Sequence, residues 1–108
     1  MTSKIHKRPF SSFVKKQSKP FKMAIEDEID YIKSNPFSGE IKVGDLSNIR
    51  IHKFNFKKQQ YLIAYSFEEY KEMTQSDLIK EPMFYKIGSH ENFYEELKDY
   101  LRSIGWYK

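Results

Sequence analysis

"IRIHKFNFKKQQYLIAYSF", residues 49–67, decides the fold. Two runs rich in β-branched and aromatic residues flank Lys57, Lys58, Gln59 and Gln60, the pattern of two strands joined by a polar turn. The first run sets a puzzle. Ile49 and Ile51 alternate with Arg50 and His52, but Phe54 and Phe56 fall on the opposite parity. Side chains alternate between faces along a strand, so either both faces are covered or a bulge near Lys53 flips the phase. The second run, "YLIAYSF", carries apolar residues at both parities and reads as a central strand.

Upstream, Pro9 suits a first helical turn, and Phe10, Phe13, Val14 and Gln17 follow at helical spacing. Pro20 opens a second helix with Phe21, Ile25, Ile29 and Ile32 on one face, and Asn35-Pro36 ends it. "SGEIKVGDLSN" is a loop or a short extended piece. Downstream, residues 68–82 read as an acidic insertion, and "MFYKIGS" resumes the strand pattern. After His90, Phe93, Leu97, Tyr100, Leu101 and Ile104 share a helical face, with Gly105 at the C′ position and Ser89 as a candidate N-cap. This order predicts a single α+β domain over 1–108: an N-terminal helical hairpin packed on a small antiparallel β-sheet, a C-terminal helix, and all helices on one side of the sheet.

Hydrophobic residues at 39%, with 9 Phe and 8 Tyr, supply enough apolar area to fold a chain that is 31% charged. Cysteine is absent, which excludes disulfides, thiolate nucleophiles and Cys-based zinc sites. Any chemistry rests on His, Tyr, Lys, Arg or carboxylates, and no cofactor is expected. No apolar run approaches the roughly 20 residues of a membrane span, and the basic N-terminus lacks the apolar core of a signal peptide, so the expected location is cytoplasmic. The net charge of +4 conceals an asymmetry. Residues 1–25 hold Lys4, Lys7, Arg8, Lys15, Lys16, Lys19 and Lys22 and no Asp or Glu. Such a block suits a polyanion, an acidic protein partner, or simply a solvated face.

Together these pieces resemble the RelE/ParE superfamily of bacterial type II toxin–antitoxin toxins. The resemblance spans nearly the whole chain and rests on the two-helix start, "VGDLSNIRIHKF", "YLIAYSF" and "KIGSHENFY". It implies a cytoplasmic toxin held inactive by a cognate antitoxin and compatible with a heterotetramer. The antitoxin is expected to wrap the toxin with an acidic, partly disordered segment that covers the sheet or displaces the last helix. RelE-like and YafQ-like members cut messenger RNA on the ribosome without a metal; ParE-like members poison DNA gyrase. "KIGSH" is similar to the YafQ-like ending, and "RIH" to a histidine on the first core strand of those toxins. The resemblance therefore assigns His52, His90 and Lys86 as catalytic.

Metal-free RNA cleavage needs a base for the 2′-hydroxyl, an acid for the departing 5′-oxygen, and cations for the phosphate. Two histidines can share the proton work, His90 as acid and His52 as base. Arg50, Lys53, Lys57 and Lys58 are the candidate phosphate ligands, and Tyr65 and Tyr94 the candidate base-stacking rings. Two features depart from the nuclease pattern. Leu62 stands where many RelE-like nucleases place a cation, and a long helix follows His90 where YafQ-like chains end. The alternatives are a ParE-like gyrase inhibitor and a non-catalytic nucleic-acid- or protein-binding module of the same fold.

Overall fold

β2 (Arg50–Phe56) and β3 (Gln59–Ser66) form an antiparallel hairpin in a computed structural model that describes residues 6–41, 49–66 and 82–105. Their register runs unbroken from Phe56↔Gln59 to Arg50↔Tyr65, so no bulge interrupts Lys53. Both faces are covered instead: Phe54, Ile63 and Tyr65 are buried on one, Ile51, Leu62 and Ala64 on the other.

Lys57 and Lys58 alone make the turn, with φ of 51° and 69°. Positive φ at both central residues is the mark of a type I′ turn, whose twist matches that of the flanking strands. Lysine pays a Cβ penalty in that conformation which Asn and Gly avoid. The Lys57→Asn/Lys58→Gly double variant is therefore expected to be more stable by about 1 kcal/mol, read as a higher urea midpoint at unchanged m. An unchanged or lower midpoint would show that this turn is not strained.

β4 (Met83–Ser89) lies antiparallel along the far side of β3, and the two-residue β1 (Glu40–Ile41) pairs with β2, giving the order β1-β2-β3-β4. The short extended piece of the 38–48 stretch is thus β1. A bulge does occur, but in β4: Tyr65 pairs with Phe84 and Ala64 with Lys86, leaving Tyr85 as the extra residue. It allows Phe84 and Ile87 to share one core while Tyr85 joins the other.

α1 (Arg8–Lys15) and α2 (Lys19–Ser34) each carry proline in the first turn. Ser18 caps α2, its Oγ accepting the Phe21 N–H at 3.4 Å. Phe10, Phe21, Ile25, Ile29 and Ile32 close over Phe54, Ile63, Tyr65, Phe84 and Ile87. α3 (Phe93–Ser103) lays Phe93, Leu97 and Leu101 on Ile49, Ile51, Leu62, Ala64 and Tyr85. The helices therefore flank both faces of the sheet, not one, because the Ile parity and the Phe parity of β2 each need cover. Ser89 belongs to β4 and is not the N-cap; that position is Asn92, at φ 57°. Gly105, at φ 80°, takes the C′ position. The 68–82 insertion, apart from Pro82, lies outside the described residues, as does the 42–48 segment.

Candidate functional site

The unbroken register of β2 decides where its polar side chains go. His52 shares its parity with Phe54 and so faces the α1–α2 hairpin. There its Nε2 lies 2.6 Å from Glu28 Oε1, with the His52 side chain 12% exposed. A carboxylate only accepts, so the imidazole presents Nε2–H to it. The ring lies between Tyr31, at 5.7 Å between centroids, and Phe54, stacked at 6.3 Å. Arg50, two residues earlier on the same face, donates from Nη1 to the carbonyls of Phe37 and Gly39, each at 3.0 Å. Its guanidinium also stands 5.1 Å from the Phe37 ring centroid. It pins the connection between α2 and β1.

Tyr65 completes that connection from beneath. Its hydroxyl donates to the Pro36 carbonyl at 2.8 Å and accepts from the Gly39 N–H at 3.0 Å. Burial pushes the phenol above its ordinary pKa of 10.0, against the lowering effect of the Gly39 hydrogen bond. Being fully buried, the Tyr65 ring offers no face on which a base can stack.

The bulge in β4 sends Lys86 to the opposite face, paired with Ala64 under α3. Its Nζ lies 3.0 Å from Glu96 and 5.7 Å from the Phe93 ring centroid, and the side chain is 15% exposed. His90, in the joint between β4 and α3, is exposed. Its backbone carbonyl accepts the Phe93 N–H at 3.3 Å, and its ring meets Tyr94 edge-on at 6.1 Å. Lys53 is exposed on the same face as Leu62 and pairs with Glu40 at 3.7 Å. Lys57 and Lys58 project from the turn, Lys57 Nζ lying 5.5 Å from the Phe56 ring centroid.

The candidate residues thus fall into two groups with the sheet between them. Arg50 and His52 stand beside α2; Lys86, His90 and Tyr94 gather at the start of α3. Leu62, which the resemblance to RelE-like nucleases sets in the place of a cation, is fully buried under α3. A cleft of about 230 Å³ between α1 and α2 is lined by His6, Phe10, Val14, Lys15, Ile25 and Ile29, among others, and by none of the candidate residues. Glu28 and Glu96, the partners of His52 and Lys86, were missed in the sequence, although a signal existed. Glu28 falls three residues after Ile25 and four before Ile32, and Glu96 three after Phe93, so each borders a buried stripe.

Among the described residues no helix is long and apolar enough to cross a membrane. No curated protein and no solved structure gives a significant match to the chain. A family model described as "ParE-like toxin of type II bacterial toxin-antitoxin system" matches residues 5–98, from just before α1 into α3. That span takes in both helices of the hairpin, the sheet and the residues around His52 and His90, and the chain belongs to the ParE-like toxins of type II bacterial toxin–antitoxin systems, a family that implies an antitoxin partner.

Proposed function

We propose that this toxin acts by binding its target, with DNA gyrase the favoured target, and not by cleaving RNA with His52 and His90. The observation that carries this reading is the opposite placement of His52 and Lys86. Each is held by a carboxylate of the helix that covers its own face, Glu28 of α2 and Glu96 of α3. A base, an acid and a phosphate ligand must meet around one kinked nucleotide, and the sheet standing between His52 and Lys86 favours binding over cleavage. Buried Leu62 in place of a cation supports the same reading.

A second reading keeps RNA cleavage but confines it to the start of α3. Lys86 lies near the Phe93 ring, Phe93 meets Tyr94 at 5.5 Å, and Tyr94 meets His90, so two of the expected residues, Lys86 and His90, flank a pair of rings that includes a third, Tyr94.

The test is a pair of assays on the purified toxin. Gyrase supercoiling should fall with added toxin, and a defined message in a translation extract should stay whole. His52→Ala and His90→Ala variants should arrest growth like the parent. Message fragments that vanish in His90→Ala but persist in His52→Ala would establish the second reading in place of the first.

A further inference from the structure

Arg8 acts electrostatically on the Tyr100 phenol, but among the described residues no ion pair answers the charge of the hairpin. Among the described residues, the ion pairs join His52 to Glu28, Lys53 to Glu40, Lys86 to Glu96 and Arg102 to Asp99. None involves Lys7, Arg8, Lys15, Lys16, Lys19 or Lys22, the cations of α1 and the start of α2. Arg8, Lys15, Lys16 and Lys19 are exposed, and Lys7 and Lys22 half-buried. Arg8, Ser11, Ser12 and Lys15 recur at i, i+3, i+4 and i+7, which puts them on one face of α1 over a span of about 10 Å. Lys16 follows at the C-cap of α1 and Lys19 and Lys22 in the first turn of α2, and Glu26 is the first acid after them.

Helix stability does not account for these positions. Cations favour the last turn of a helix, which suits Lys15, but are unfavourable in the first. α1 begins with Arg8 and α2 with Lys19, and neither first turn holds an acid. α3 follows the rule, with Glu95 and Glu96 in its first turn.

The chemistry of the surface narrows the occupant. Protein interfaces are depleted of charge at their centres, whereas this patch is rich in cations and serines, with Met23 as an exposed apolar neighbour and Lys15 on the rim of the cleft between α1 and α2. Single-stranded nucleic acid is held by exposed rings, but Phe10 and Phe21 are buried and Phe13 packs edge-on against Phe21 and Tyr61. Lysine, arginine and serine without rings match the phosphate backbone of a duplex.

We propose that Arg8, Lys15, Lys16, Lys19 and Lys22 form a sequence-independent site for the phosphates of a nucleic-acid duplex. The site is separate from the candidate residues on the sheet and does not depend on the identity of the poisoned target.

The experiment measures anisotropy of labelled 20-base-pair DNA and RNA duplexes and of a 20-nucleotide single strand with the purified full-length chain. Five phosphate contacts predict log K falling against log salt with a slope of about −4.5, and a loss of affinity of about 500-fold between 50 and 200 mM. Lys16→Ala/Lys19→Ala/Lys22→Ala should flatten the slope by about 2.7, while Lys33→Ala/Lys98→Ala/Arg102→Ala, an equal loss of charge elsewhere, should leave it near the parent value. Circular dichroism melts check that both triple variants fold. The DNA and RNA arms identify which duplex is preferred, either preference supporting the site. Absence of duplex binding at 50 mM salt, equal flattening in both variants, or displacement of duplex by polyglutamate at equal charge concentration would overturn it, the last in favour of an acidic protein partner. Such a failure leaves the gyrase assays untouched, since they read inhibition and not duplex affinity.

Discussion

Tyr65→Phe is expected to lower stability by about 2–3 kcal/mol and to change its alkaline limb. The buried phenol joins the α2–β1 connection to the central strand, through Pro36 and Gly39. Its removal leaves the Gly39 N–H and the Pro36 carbonyl without that partner, and an unsatisfied buried polar group costs roughly 1–3 kcal/mol. In this protein the N–H contact is buried and takes the upper half of that range, about 2–3 kcal/mol, while the part-buried Pro36 carbonyl can turn to water and adds little. The pH dependence has a definite sign. The native phenol holds its proton above 10.0, whereas the unfolded chain ionises there, so the contribution is present below about pH 10 and lost as pH rises further. Urea titrations of wild type and Tyr65→Phe from pH 7 to 11 should therefore converge. Tyr100, raised by burial and then by Tyr85, retains its own alkaline dependence in both. Parallel curves, or a loss below 0.5 kcal/mol, would show that the hydroxyl is dispensable. Gly39→Ala attacks the same clamp from the other side, since a Cβ there would stand 2.6 Å from Tyr65 Oη and 3.1 Å from the Ile51 carbonyl. That backbone oxygen cannot rotate away.

Much of this architecture is legible in residue periodicity. Ile49 and Ile51 at odd and Phe54 and Phe56 at even positions allow two covered faces as one of two readings, and the dual parity of "YLIAYSF" announces a central strand. The covering helix on the Ile side was nonetheless assigned to the wrong layer, because periodicity tells which residues are buried and not beneath what. The bulge at Tyr85 leaves no mark in the pattern of "MFYKIGS", and the phase break near Lys53 reads equally as a bulge or as two covered faces. The silent bulge matters most for the site, since it decides which face receives Lys86. Arg50 shows a further limit. Its type and its nearness to His52 suit phosphate binding, but the carbonyls it bonds belong to Phe37 and Gly39, more than ten residues away in sequence, and only the pairing of β1 with β2 brings them within reach.

Leu97→Ala should loosen α3 far more than the rest of the fold. Leu97 is fully buried in the core that joins α3 to Ile51, Leu62 and Ala64, and truncating such a side chain costs roughly 2–5 kcal/mol. α3 has 11 residues, and a helix of that length is marginal without tertiary contacts. The loss is therefore expected as local undocking, with hydrogen exchange of α3 amides accelerated about 30-fold or more and the β2–β3 hairpin less affected. Glu96→Ala provides the contrast: the carboxylate is 58% exposed, so its bond to Lys86 contributes at most about 1 kcal/mol and its loss should barely change exchange. Unchanged α3 exchange in Leu97→Ala would place the holding energy of the helix elsewhere, in Phe93 or Leu101. The comparison also reads out how the antitoxin acts. A partner that displaces α3 must supply the free energy of undocking, so Leu97→Ala should tighten its binding by up to the factor by which undocking is eased. A partner that binds over a docked α3 gains nothing from the substitution, and its affinity should stay level or fall.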